Sequence, residues 1–119
     1  MGRNVELLSR QEVPDGFVYP SDFLATVGAD EPDLEPWWIF DGSLLRDRLK
    51  GLSQRYAGRK LVPFAKREDN DDVACWDLDR GNVVVIHDFA SPGFEQRQEF
   101  KDFTAWLVCA REQAEVWKE

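Results

Sequence analysis

His87, the sole histidine of the chain, follows the run Val83-Val84-Val85-Ile86 and stands directly before Asp88. An imidazole next to a carboxylate is a common kit for general acid–base catalysis, and Cys75 and Ser91 are the available nucleophiles. The spacing argues against that use. Adjacent residues on a strand point to opposite faces, which makes His87 and Asp88 a poor direct pair, and neither Cys75 nor Ser91 sits in a nucleophile motif. A small hydrolase using His87 with Asp88 or Asp77 is therefore retained only as an alternative function, and the chain is expected not to be an enzyme.

Metal chemistry is the next possibility, because Asp69, Asp71, Asp72, Asp77, Asp79 and Asp88 place many hard oxygens in a short span. An EF-hand loop beginning at Asp69 requires Gly at its sixth position and Glu at its twelfth, where this chain has Ala74 and Arg80. No glycine-rich phosphate cradle is present. Cys75 and Cys109 lie far apart with no CxxC and no nearby histidine, so they read as small buried hydrophobes rather than zinc ligands or a disulfide framework. No metal and no cofactor are expected.

The elements that must position these residues follow from punctuation and period. Val13-Pro14-Asp15-Gly16 is a turn signal, after which Phe17-Val18-Tyr19 reads as a short strand or a packed arm. A short helix then begins at Pro20 or Ser21, has Phe23, Leu24 and Val27 as its apolar side, and stops at Gly28. Trp37-Trp38-Ile39-Phe40 is a dense run of β-formers. Asp41-Gly42-Ser43 turns into a helix of about 44–57 whose apolar face is Leu45, Leu49, Leu52 and Tyr56, with Arg46, Arg48, Lys50 and Arg55 on a solvated face. Three strands are expected over 60–66, 72–78 and 82–89. The last two are joined by a hairpin turn at Arg80-Gly81-Asn82, and Pro63 places the first at an edge or a bulge. Phe100, Phe103, Leu107, Ala110, Ala114 and Trp117 repeat at helical spacing and predict a long amphipathic C-terminal helix packed on the sheet. The class is α+β: one domain over 1–119 with a central, mainly antiparallel sheet flanked by helices.

The chain has 15 Lys and Arg against 23 Asp and Glu, a formal charge of −8. Such an acidic surface repels nucleic-acid phosphates, and a basic protein is the more natural partner. No run approaches the roughly 18–20 apolar residues of a membrane helix, and residues 1–10 lack the apolar stretch of a signal peptide, so a cytoplasmic location without membrane contact is expected. The charge is also segregated. Residues 29–41 hold Asp30, Glu31, Asp33, Glu35 and Asp41 with no base, 68–88 hold seven acids against Arg80, and between them 46–67 hold eight bases and one acid, Asp47. That pattern predicts a dipolar surface able to steer a charged partner. Of Trp37 and Trp38, only one can face the core from a strand, and the other would stand among acids as a hot-spot candidate.

Several short motifs resemble the SUKH superfamily, the domain shared by fungal cell-wall-synthesis regulators and many bacterial immunity proteins. Leu61-Val62-Pro63-Phe64-Ala65 leads through an acidic turn into Asp72-Val73-Ala74-Cys75-Trp76-Asp77, and the C-terminal helix is introduced by 99–107 with Phe100, Phe103 and Leu107. Tyr19-Pro20-Ser21-Asp22-Phe23-Leu24 is similar to the early helix of that family, whereas Val27-Gly28-Ala29-Asp30 replaces its usual Asn-Gly-Gly turn. The resemblance spans about residues 18–110. It implies an α+β binding module without a shared catalytic apparatus, commonly a cytoplasmic antidote to a polymorphic toxin.

Taken with the charge pattern, the resemblance makes the expected function that of a non-catalytic immunity protein. Its partner would be a cognate, basic toxin domain, possibly a nuclease. The expected contact residues are Asp30, Glu31, Asp33, Glu35, Trp37, Trp38, Asp69, Asp71 and Asp72. A regulatory adaptor of the same fold is the alternative that differs only in its partner.

Overall fold

The computed structural model describes residues 5–29 and 34–118. Five strands, β1 (Trp37–Ile39), β2 (Leu61–Arg67), β3 (Asp72–Asp77), β4 (Asn82–His87) and β5 (Gln96–Phe100), form one sheet in chain order, every neighbouring pair antiparallel. Three helices cover it: α1 (Ser21–Gly28), α2 (Gly42–Arg55) and α3 (Phe103–Trp117). The α+β class expected from the sequence is the observed one.

Alternation within the strands sends side chains to two covered faces. On one, Trp76 and Phe64 meet Phe103 and Trp106 of α3 and Phe23 of α1. On the other, Val73, Cys75, Val84 and Ile86 lie beneath α2, which buries Leu45 and Leu52. Both faces being covered explains why β3 and β4 are apolar on consecutive rather than alternate positions. Among the described residues no helix is long and apolar enough to cross a membrane.

Pro63 lies opposite Cys75 in an interior strand, so of the two positions open to it the bulge is the one used: the β2–β3 register shifts between Pro63 and Ala65. Residues 17–19 form a packed arm, its rings of Phe17 and Tyr19 against Trp76. The β3–β4 hairpin closes with the Gly81 N–H on the Asp77 carbonyl, and Gly81 takes φ +70°, which glycine adopts without a Cβ penalty.

Three expectations need correction. Residues 96–100 form β5, an edge strand that is polar on both faces up to Phe100 and so has no apolar alternation to reveal it; its backbone pairing with β4 forms it instead. Phe100 consequently belongs to β5, and α3 begins at Phe103, where the Asp102 carboxylate accepts the Ala105 N–H as its cap. At the far end Trp117 is 41% exposed rather than part of the buried stripe. Finally, β4 ends at His87, and Phe89 is not on a strand: it turns into the left-handed region at φ +70°.

Candidate protein-binding site

Antiparallel pairing fixes which loops meet. Trp37 lies opposite Arg67 and Asp72 opposite His87, so the chain entering β1, the β2–β3 hairpin and the end of β4 share one end of the sheet. The Glu68 N–H donates to the Pro36 carbonyl at 2.8 Å, bringing the end of the first acidic segment against the second. Glu35, Glu68, Asp69 and Asp71 are all exposed there. Asp30, Glu31 and Asp33 lie outside the described residues.

The acids at this end differ in their surroundings. Asp69 accepts two hydrogen bonds from the Arg67 guanidinium, at 2.8 and 3.0 Å, which holds its carboxyl below the usual range against an opposing push from burial. Asp72 is half-buried between the Arg97 Nε at 3.1 Å and the His87 Nδ1 at 3.3 Å. His87 thus meets Asp72 across the strands. Asp88 and Asp77, the carboxylates considered for it, point to the opposite face.

The tryptophan pair divides as a strand requires. Trp37 is buried against Trp106 and donates its indole N–H to the Gln113 Oε1 at 2.6 Å, which takes it out of reach of a partner. Trp38 is half-buried on the α2 face beside Phe40, with ring centroids 5.2 Å apart.

The basic block of 46–67 does not form the expected exposed half of a dipole. Arg48 and Arg55, seven residues apart and so on one face of α2, converge on Asp88, whose side chain is fully buried. Arg55 binds it twice, at 2.8 and 2.7 Å, and Arg48 once, at 3.0 Å. Arg46 is held by Glu6 and Glu12. Arg59 joins two buried acids, with N–O distances of 3.1 Å to Asp77 and 3.0 Å to Glu95. All five of the block's arginines, counting Arg67, are therefore ion-paired within the molecule, with Arg48 and Arg55 sharing the single charge of Asp88. Of the face expected to be solvated, Lys50 is exposed, Arg46 holds the N-terminal segment, and Arg48 and Arg55 tether α2 to Asp88 at the end of β4.

These pairs also set a pH dependence. Burial raises the pKa of Glu95, but hydrogen bonds from its own backbone N–H, from Arg59 and from Gly93 outweigh burial and leave its pKa lowered from 4.5. Hydrogen bonds from Arg46 and the Ser9 N–H lower Glu12 to about 2. A carboxylate with a lowered folded pKa adds stability that is complete above its unfolded value and lost as pH falls through the folded one. The urea midpoint is therefore expected to hold from neutrality to pH 4.5 and to decline from there toward about 2. Arg59→Met should make that decline shallower by removing the Glu95 share, and an unchanged slope would contradict the pairing.

Burial pushes the Cys75 thiol far up, and burial with Glu112 nearby raises that of the half-buried Cys109, which disfavours the nucleophilic thiolate at both. Among the described residues no group of three or more His, Cys, Asp or Glu side chains could hold a metal ion. A cavity of about 410 Å³ opens between the 15–20 arm and the β3–β4 hairpin, with Trp76 and Phe103 among its walls.

Sequence reasoning missed the buried acids Asp77, Asp88 and Glu95, which alternation and charge alone would leave in solvent. The seven-residue spacing of Arg48 and Arg55 was the one available signal for Asp88. Comparison with protein-family models, curated proteins and solved structures finds no match to this chain.

Proposed function

We propose that this chain is a non-catalytic protein-binding module, specifically a cytoplasmic immunity protein of SUKH type that neutralises a basic toxin domain through the acidic end of its sheet. The observation that carries this reading is the Glu68–Pro36 hydrogen bond, which sets the described end of the first acidic segment, with Glu35, against the second. Its complement is the inward pairing of the arginines that would otherwise offset them. Toxins that act on nucleic acid must bind phosphate and so carry basic surfaces, which an acidic patch attracts and covers. The motifs at 61–65, 72–77 and 99–107 add the resemblance that names the class.

The test is co-expression with a toxin domain encoded beside this chain, followed by binding kinetics at two ionic strengths. Glu68→Lys combined with Asp71→Lys reverses two exposed charges. It is expected to slow association at low salt by about tenfold and to flatten its salt dependence, as loss of electrostatic steering does. Protection and association rates equal to those of the unaltered protein would remove the basis for the proposal.

A further inference from the structure

We propose that the β4–β5 loop is a preorganised docking knuckle, in which Phe89 anchors an apolar patch rimmed by Lys or Arg on a protein partner. The inference deepens the reading above and takes from it only the sign of the partner's charge.

Phe89 is unusual twice over. Its backbone is left-handed at φ +70°, a region bulky side chains avoid, and its ring is 62% exposed. A conformation both strained and solvent-facing is retained only where the surroundings over-determine it, and such positions concentrate at functional sites. Here the surroundings are explicit. The Phe89 N–H donates to the Asp88 Oδ1 at 2.8 Å, and the ring lies over the Arg55 guanidinium at 4.2 Å. Arg48 lies between Phe89 and Phe40, at 5.8 and 5.4 Å from their centroids, and Trp38 adjoins Phe40.

The rest of the loop is equally fixed. The His87 N–H donates to the Glu95 carbonyl at 2.7 Å, the Tyr56 hydroxyl to the Ala90 carbonyl at 2.8 Å, and the Gly93 N–H to the Glu95 carboxylate at 2.7 Å. A ring held this way loses little freedom on docking, which is what makes an exposed aromatic an efficient anchor.

Charge selects the partner. The Asp88 N–H bonds the Asp71 carbonyl at 3.0 Å, so the loop begins against the acidic hairpin of 68–72. Asp88 offsets one of the two guanidinia beneath Phe89, and the single positive charge left there, on side chains only 18% and 30% exposed, is outnumbered by the exposed carboxylates of Glu68 and Asp71. An apolar contact bordered by carboxylates matches an apolar contact bordered by cations.

The experiment is an NMR titration of the whole protein with a short amphipathic helical peptide of lysine and leucine, at low and moderate salt. Shifts are expected at the amides of Asp71, Phe89 and Ala90. Phe89→Ala should weaken binding by about thirtyfold, the effect of a hot-spot aromatic, without altering the salt dependence. Phe89→Leu should restore most of the affinity, and Glu68→Lys with Asp71→Lys should flatten the salt dependence. Circular dichroism of the Phe89 variants should match the unaltered protein, since the ring is exposed. Equal affinity of Phe89→Ala and the unaltered protein, or no shift in the loop, would overturn the proposal. The toxin assay is separate, so failure to neutralise a toxin with peptide binding intact would count against the immunity reading alone.

Discussion

Asp88→Ala is expected to destabilise the fold by about 3 kcal/mol, the low end of the roughly 3–5 kcal/mol seen when one partner of a buried ion pair is removed. The carboxylate is fully buried and accepts hydrogen bonds from Arg48, Arg55 and the Phe89 N–H, so its loss leaves two guanidinia facing each other with no counter-charge. Their side chains are 18% and 30% exposed, which lets them swing partly into water and places the effect at the lower end. For a domain of this length the melting temperature should fall by roughly 10–15 °C. The check is a thermal melt followed by a double-mutant cycle with Arg55→Met. If Asp88→Ala melts within a few degrees of the unaltered protein, or the cycle shows no coupling, the carboxylate does not tether α2 to the sheet.

Phe64→Ala should be at least as severe. Phe64 occupies the β2 bulge and touches four other rings, with centroids 4.5 Å away at Trp76, 4.9 Å at Trp106, 5.5 Å at Phe103 and 5.9 Å at Phe23. It thereby joins α1, α3 and the sheet at one point. Truncating a buried phenylalanine costs about 3–5 kcal/mol through lost burial and the cavity left behind, a large share of the roughly 5–15 kcal/mol available to a typical domain. Urea unfolding followed by tryptophan emission would read both the stability and the surroundings of Trp76 and Trp106. Phe64→Leu, which keeps most of the volume, should recover the larger part. A loss below about 1 kcal/mol for alanine would mean that the ring cluster is not the keystone of this face.

The sequence was most informative where one strong signal acted locally. The apolar period of α2 at Leu45, Leu49, Leu52 and Tyr56 located that helix, and the Arg80-Gly81 turn located the β3–β4 hairpin. It was least informative where a neighbour decides the outcome. β5 is a strand because β4 offers it a row of backbone partners, a fact absent from Gln96-Arg97-Gln98-Glu99-Phe100 itself. The same holds for charge. Arg48 and Arg55 read as solvated until Asp88 is brought to them by the fold. Of the expected contact residues, Asp69, Asp71 and Asp72 lie together at one sheet end, with Glu35 beside them through Pro36. Trp37 proved to be core, because strand alternation points it at α3. Phe89 carries no sequence signal of its exposure or of its left-handed φ of +70°.

The unbroken chain order of the sheet governs how the molecule comes into being. Each strand finds its partner across a short connection, except β2, which waits for α2 to be laid down after β1. Contacts close in sequence form with small loop-closure loss, so the β3–β4 hairpin can serve as a template on which β2 and β5 zip from either side. Nothing in the sheet waits for the distant end of the chain. The ring cluster does wait, because α3, which follows all five strands in the chain, supplies Phe103 and Trp106. Until α3 docks, Trp76 and Phe64 are covered only by the rings of Phe17, Tyr19 and Phe23, which makes that docking the step that closes the apolar face against aggregation.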